Sequence, residues 1–249
     1  MKTFLTVLFS MSFLICNAQN QDKKIKKVKS DKFIEVFTIN KINKLKDGVY
    51  YKIKRESEDT LIIGDYKDDK KVGLWKYKDL NKKDYIIYNY DSFKLEYISN
   101  SLKSIDTFYI KSDSSFVLGK VDSPPIYLGY ENEIKELLNN NTLPTIDIME
   151  KSISSVSIAT FIVDKFGNLI NIQIERSISK EFDKNILKSI RLICGSWIPA
   201  KLNGNNIDTK IYVMFQVSNS FTPKYYPNKP YIIPVLLSYY GVQRSERVR

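Results

Sequence analysis

Ile207-Asp208-Thr209-Lys210-Ile211-Tyr212-Val213-Met214-Phe215-Gln216-Val217 is the stretch on which the fold turns. On an extended chain Ile207, Thr209, Ile211, Val213, Phe215 and Val217 share one face. Asp208, Lys210, Tyr212, Met214 and Gln216 share the other. This period of two predicts a β-strand that lays one face on a core. Just upstream, Trp197-Ile198-Pro199-Ala200-Lys201-Leu202-Asn203-Gly204 brings a large apolar ring, a helix breaker at Pro199 and a favoured tight turn at Asn203-Gly204. Before that, 180–194 is amphipathic, with Phe182, Ile186, Leu187, Ile190 and Ile193 as its apolar stripe. Ser179 is placed to cap this helix, Glu181 and Asp183 suit its positive end, and Gly195 can stop it. Further back, 156–164 and the alternating Ile170, Ile172 and Ile174 of 169–176 form a hairpin about the turn at 165–168. A helix over 131–140, with Ile134, Leu137 and Leu138 on one face, precedes the hairpin.

Upstream of these elements the pattern changes. Short aromatic and β-branched runs near 33–39, 48–54, 60–66, 73–78, 85–90, 93–98, 105–111 and 114–118 are separated by turn residues such as Asp47-Gly48. They predict an antiparallel β-meander over 33–120. Ser123-Pro124-Pro125 marks its boundary with the next domain, at 124–217. The stretch 19–32, with Lys23, Lys24, Lys26, Lys27 and Lys29, has too few apolar residues to fold and reads as a solvated basic arm. The tail, 218–249, is rich in Pro and Tyr; 232–240 can add a strand, but Pro223, Pro227, Pro230 and Pro234 argue for an extended, partly ordered segment.

The first eighteen residues read as a signal for export. Lys2 is followed by an apolar run of about 13 residues, Phe4 to Cys16, and by the small-residue site Cys16-Asn17-Ala18. The run is shorter than the ~20 residues a membrane-spanning helix needs, so cleavage is expected over inner-membrane anchoring. Lipid attachment at Cys16 is the lesser reading, because Ile15 is bulky. The expected location is the periplasm. Cleavage leaves Cys194 as the one cysteine, read as a small buried apolar group at a helix end.

The chain has no histidine, which removes the side chain most used for proton transfer near neutral pH and the commonest metal ligand. No spacing points to a catalytic residue, a metal site or a cofactor, and an enzyme is not expected. The net charge of +11 comes mostly from Lys spread along the chain. With an export signal in front, it suggests anionic envelope surfaces and not nucleic acid.

Two resemblances rest on these residues. Gly64-Asp65-Tyr66-Lys67-Asp68-Asp69-Lys70-Lys71-Val72-Gly73-Leu74-Trp75-Lys76-Tyr77 looks like a MORN-type repeat, a hairpin with aromatics on one face. An ordinary meander remains the equal alternative. The second domain resembles the C-terminal domain of the energy transducer TonB. The match lies in Pro125-Ile126-Tyr127-Leu128-Gly129, Leu143-Pro144, Phe161-Ile162-Val163-Asp164-Lys165-Phe166-Gly167 and the run from Trp197 to Gly204. The departures are Tyr130 in place of a glycine, Leu143 in place of a tyrosine, and no Pro-rich spacer.

The TonB resemblance implies an α+β fold, two helices on a three-stranded antiparallel sheet, with the 207–217 strand at its edge. It implies a Gram-negative envelope protein whose open edge, at Lys210, Ile211, Tyr212, Val213, Met214 and Phe215, takes up an extended segment of an outer-membrane receptor by strand addition. Tyr212 and Met214, opposite the core stripe, are then the expected contacts. Tyr127, Gly129, Pro144, Gly167, Trp197, Pro199, Ala200, Asn203 and Gly204 are expected to define the fold. The same strand can instead pair with the 232–240 segment or with a second copy. The competing function is a structural envelope protein that holds peptidoglycan or another envelope protein and has no part in transport.

Overall fold

The computed structural model describes residues 22–79, 81–130, 132–194, 197–218 and 232–239. The chain forms two compact units, Met1–Ile98 and Ser99–Arg249. The signal-like residues 1–18 and most of the 218–249 tail lie outside the described residues.

The first unit is a seven-stranded antiparallel meander in sequence order: β1 (Lys23–Lys29), β2 (Phe33–Asn40), β3 (Lys46–Lys54), β4 (Thr60–Lys67), β5 (Lys70–Lys78), β6 (Asp84–Asn89) and β7 (Lys94–Ile98). The expected solvated arm is corrected here. Lys23 to Lys29 pair residue by residue with Asn40 to Ile34, so the neighbouring strand supplies the hydrogen bonds that composition alone did not promise. Between β4 and β5 only Asp68 and Asp69 intervene, with φ of +50° and +62°. Two positive φ values in a row give the turn whose twist matches a hairpin, and short aspartates tolerate them.

One face of this sheet carries an aromatic core. Tyr50 stacks on Trp75 at 5.5 Å between ring centroids, and Tyr66 and Tyr90 meet the indole edge-on at 5.1 and 5.8 Å. Trp75 is 1% exposed and donates its ring N–H to the Asp65 carbonyl at 3.1 Å. Gly64, on the strand beside it, makes room: a methyl group there would come within 2.6 Å of the indole Cγ. Burial pushes the Tyr66 and Tyr90 hydroxyls up to about 12.

Asp47, only 6% exposed, ties three strands together. Its carboxylate accepts from Lys67 of β4 at 3.0 Å and from Lys23 of β1 at 3.2 Å. The Lys67 hydrogen bond, with Lys23 behind it, holds the carboxyl below its usual range against the opposing effect of burial. A carboxyl with a lowered folded pKa stabilises the protein above its unfolded pKa, near pH 4, and that contribution disappears as the pH falls through the folded value. Asp47→Asn is therefore expected to cost about 1–2 kcal/mol at pH 7, with both lysines still partly in water. Urea unfolding of the two proteins should converge as the pH drops below 4.

In the second unit α1 (Asn100–Lys103) leads into a hairpin of β8 (Thr107–Ser112) and β9 (Ser115–Lys120). Then come β10 (Ile126–Tyr127), α2 (Glu133–Asn141), α3 (Ile146–Glu150), β11 (Ser155–Val163), β12 (Leu169–Arg176), α4 (Lys180–Ile190) and a 3-10 turn, Arg191–Ile193. The chain ends with β13 (Trp197–Ile198), β14 (Ala200–Leu202), β15 (Asn205–Ile207), β16 (Thr209–Ser218) and β17 (Ile232–Ser238). The main sheet has six strands, in the order β12-β11-β16-β8-β9, with β17 added to β16.

The expected fold class is corrected by this topology. Strand makes up 54% of the structure and helix 16%, with four α-helices among the described residues. The molecule is mostly antiparallel β-sheet, and not a meander followed by a two-helix, three-stranded α+β domain. Strands β8 and β9, expected in the first module, join the second sheet through Ile110 and Tyr109, which pair with Thr209 and Lys210.

The core of the second unit packs the apolar side of α4 (Phe182, Ile186 and Ile190) on Phe161, Val213 and Phe215. Ser179 caps α4 by accepting the Phe182 N–H at 3.2 Å.

Candidate interaction surfaces

Strand β16 is the candidate that the sequence puts forward, and it has no open edge. On one side β11 pairs with it along its length, from Ser155 against Val217 to Val163 against Thr209. The other side is shared. β8 takes Thr209 and Lys210, and β17 pairs in parallel from Tyr212 with Ile232 to Ser218 with Ser238. Lys210, Ile211, Tyr212, Val213, Met214 and Phe215 therefore lie in an interior strand, and the expected edge is corrected. The chain's own segment wins because it delivers Val235 and Leu237, both buried, into the core beside Phe215 and Val217. Tyr239 fastens its end, donating its hydroxyl to the Ile153 carbonyl at 2.7 Å.

The expected contact residues change accordingly. Met214 is 4% exposed. Tyr212 sits 5.3 Å from the Tyr109 ring, and Lys210 lies over Phe116 at 5.3 Å and reaches Glu175 at 3.8 Å. These side chains serve packing.

The motif residues gather around one aromatic joint. Trp197 pairs with Tyr127 where β13 meets β10; its ring lies 5.5 Å from Tyr127 and 5.6 Å from Phe161, and it donates to the Ile193 carbonyl at 2.9 Å. Gly167 has φ of +84°, and a side chain there would overlap the Trp197 carbonyl oxygen. Ala200 is fully buried, while Pro199 separates β13 from β14. Asn203 and Gly204, with φ of +51° and +75°, close the β14–β15 hairpin. Gly129 lies beside Tyr127 and Glu133, and Pro144 leads into α3.

Asp164 fixes the turn before β12. Burial raises its pKa, but the Asn168, Phe166 and Gly167 groups that bond to it prevail and hold it low. Cys194, expected in the core, is exposed at the end of the 3-10 turn, and partial burial of its surroundings pushes the thiol pKa up. Among the described residues no three His, Cys, Asp or Glu side chains converge as a metal site.

The sheet of the second unit ends in β12 and β9, and the first unit has an edge of a different kind, dense in lysine. Among the described residues β1 pairs only with β2, and beyond Lys23 all of its residues are exposed, so Lys24, Lys26, Lys27 and Lys29 project from an edge that is open there. Alternation sends Lys24 and Lys26 to the aromatic side of the sheet and Lys27 and Lys29 to the other. Two more lysines lie on the aromatic side itself. Lys46 stands 4.8 Å from the ring centres of Phe37 and Tyr66, and Lys71 stands 4.5 Å above Trp75. There the sheet satisfies its own cations with ring faces.

Sequence reasoning took 19–32 as an unstructured arm and so missed the edge. The signal was present in the apolar residues Ile25 and Val28 among the lysines, but it is weak without a partner strand. Comparisons with family models, with curated proteins and with solved structures gave no match.

Proposed function

We propose that the chain is an exported, non-enzymatic scaffold of the cell envelope that holds to the cell wall through the lysine-bearing edge of its seven-stranded sheet. One observation carries the reading: β1 is an open edge strand, and its lysines project to both sides with no acidic residue between them. Uniform positive charge on an edge discourages pairing with other strands while attracting polyanions. The carboxylates of peptidoglycan are the matching partner chemistry. One feature of the sequence agrees with a non-catalytic role: it has no histidine. Receptor docking on β16 has no support, because β17 already occupies the position an incoming segment would take.

The test is co-sedimentation with purified cell-wall sacculi. Retention is expected at low salt and should fall steeply above roughly 0.15 M, where charges farther apart than about 8 Å are screened. The variant carrying Gln at Lys24, Lys26, Lys27 and Lys29 should lose most of it. No retention of the wild-type protein at low salt would overturn the proposal.

A further inference from the structure

The two faces of the seven-stranded sheet are unequal. The aromatic face buries Trp75, Tyr77 and Ile86 almost completely. Strand register places Ile34, Val36, Tyr51, Ile63, Leu74 and Tyr97 on the opposite face. There Leu74 is 50% exposed and Tyr97 45% exposed, and the other four are half-buried. Seven strands spaced about 4.8 Å apart make this face roughly 30 Å wide. Its charge is one-sided as well. Lys27 and Lys29 lie opposite Val36 and Ile34, and Lys76 lies opposite Ile63 and Ile87, so all three belong to this face. None of them has an ion-pair partner among the described residues. Asp47, held by Lys23 and Lys67, and Asp65, paired with Val49, are carboxylates that strand alternation sets on this face, while Lys94 and Glu96 pair with each other at 3.7 Å at the far edge.

We infer that this face is a docking surface for an anionic lipid layer. The inference rests on the envelope reading above and adds a second contact to it. A broad apolar surface with tyrosine at its margin and unpaired lysines around it matches the headgroup boundary of such a layer. There apolar burial and attraction to anionic headgroups add together. A second copy of the chain fits less well, because stacking this face on itself would bring unpaired lysines against lysines.

The experiment is flotation of the processed chain with vesicles of phosphatidylethanolamine and phosphatidylglycerol, with phosphatidylcholine vesicles as the comparison. Binding to the anionic vesicles alone is expected. Replacing Lys27 and Lys29 by Gln should weaken it about thirtyfold. The double variant Leu74→Ser, Tyr97→Ser should weaken it by a similar factor, with an unchanged circular dichroism spectrum and unchanged retention on sacculi. Both substitutions sit on the surface of the sheet, so the fold should survive them. Wild-type protein that ignores anionic vesicles, or a Leu74→Ser, Tyr97→Ser variant that floats like wild type, overturns the inference. So does a solution dimer that the same pair of substitutions converts to monomer, since the face would then serve a second copy. Wild-type protein that floats with anionic vesicles but is not retained on sacculi at low salt refutes the cell-wall reading and leaves the lipid surface standing.

Discussion

Trp75→Ala is expected to remove about 3–5 kcal/mol of stability, the cost of deleting a fully buried indole. The loss should be large because this ring is the hub of the aromatic face: Tyr50, Tyr66 and Tyr90 all pack on it, and Lys71 lies over it. Gly64→Ala approaches the same contact from the other side. The added methyl overlaps the indole, so it should cost about 1–3 kcal/mol by overpacking. The two changes share one space, and their effects should not add. With Trp75 already reduced to alanine, the Gly64 methyl has room, and its cost should shrink toward zero. Urea unfolding of the two single variants and the double variant measures this. Equal costs for Gly64→Ala in both backgrounds would show that the glycine is not there to admit the ring.

The second large effect concerns β17. Ending the chain after Ser218 takes Val235 and Leu237 out of the core and bares the edge of β16 from Tyr212 to Ser218. Two buried aliphatic side chains, together with a row of backbone hydrogen bonds, amount to about 5 kcal/mol or more. That is the whole stability of many domains, so the second unit of the truncated chain should be largely unfolded at 37 °C. Leu237→Ala is the milder form, with an expected loss of about 2–4 kcal/mol. A truncated chain that melts like the full one would mean that β17 contributes nothing to the fold.

The reading of local elements from sequence fared better than the reading of their arrangement, and for a physical reason. Short aromatic and β-branched runs located 33–39 within β2 and 60–66 within β4, and period-two alternation located 169–176 at β12. Each of those patterns is written into the strand itself. The Ser179 cap and the Asn203-Gly204 turn were equally legible, since each depends on two or three adjacent residues. Which strand lies beside which depends on partners far away in the chain. Nothing in 105–118 announces that Ile110 will pair with Thr209 across about a hundred residues.

The same limit explains the edge. Outward residues of β16 such as Met214 and Gln216 alternate as a half-buried strand should, yet both are buried. The prolines of the tail argued against a strand at 232–240, yet Pro234 sits within β17 opposite Met214. Its parallel pairing with β16 was one of several partners the strand allowed. For β1 the charge pattern hid a strand, because five lysines in seven residues outweigh Ile25 and Val28 until β2 is there to pair with them. Of the motif residues, Tyr127 and Trp197 meet at a joint in a larger β-rich unit than the resemblance implied.

The central claim is that β16 is closed on both sides by its own chain, so that no extended segment can add to it. Amide hydrogen exchange along Tyr212 to Ser218 tests it most directly. Backbone amides held in ladders on both sides should exchange as slowly as those of β11, and an added excess of extended receptor-type peptide should leave them unchanged. Rapid exchange on the β17-facing amides, or protection that appears only when such a peptide is added, would contradict the account.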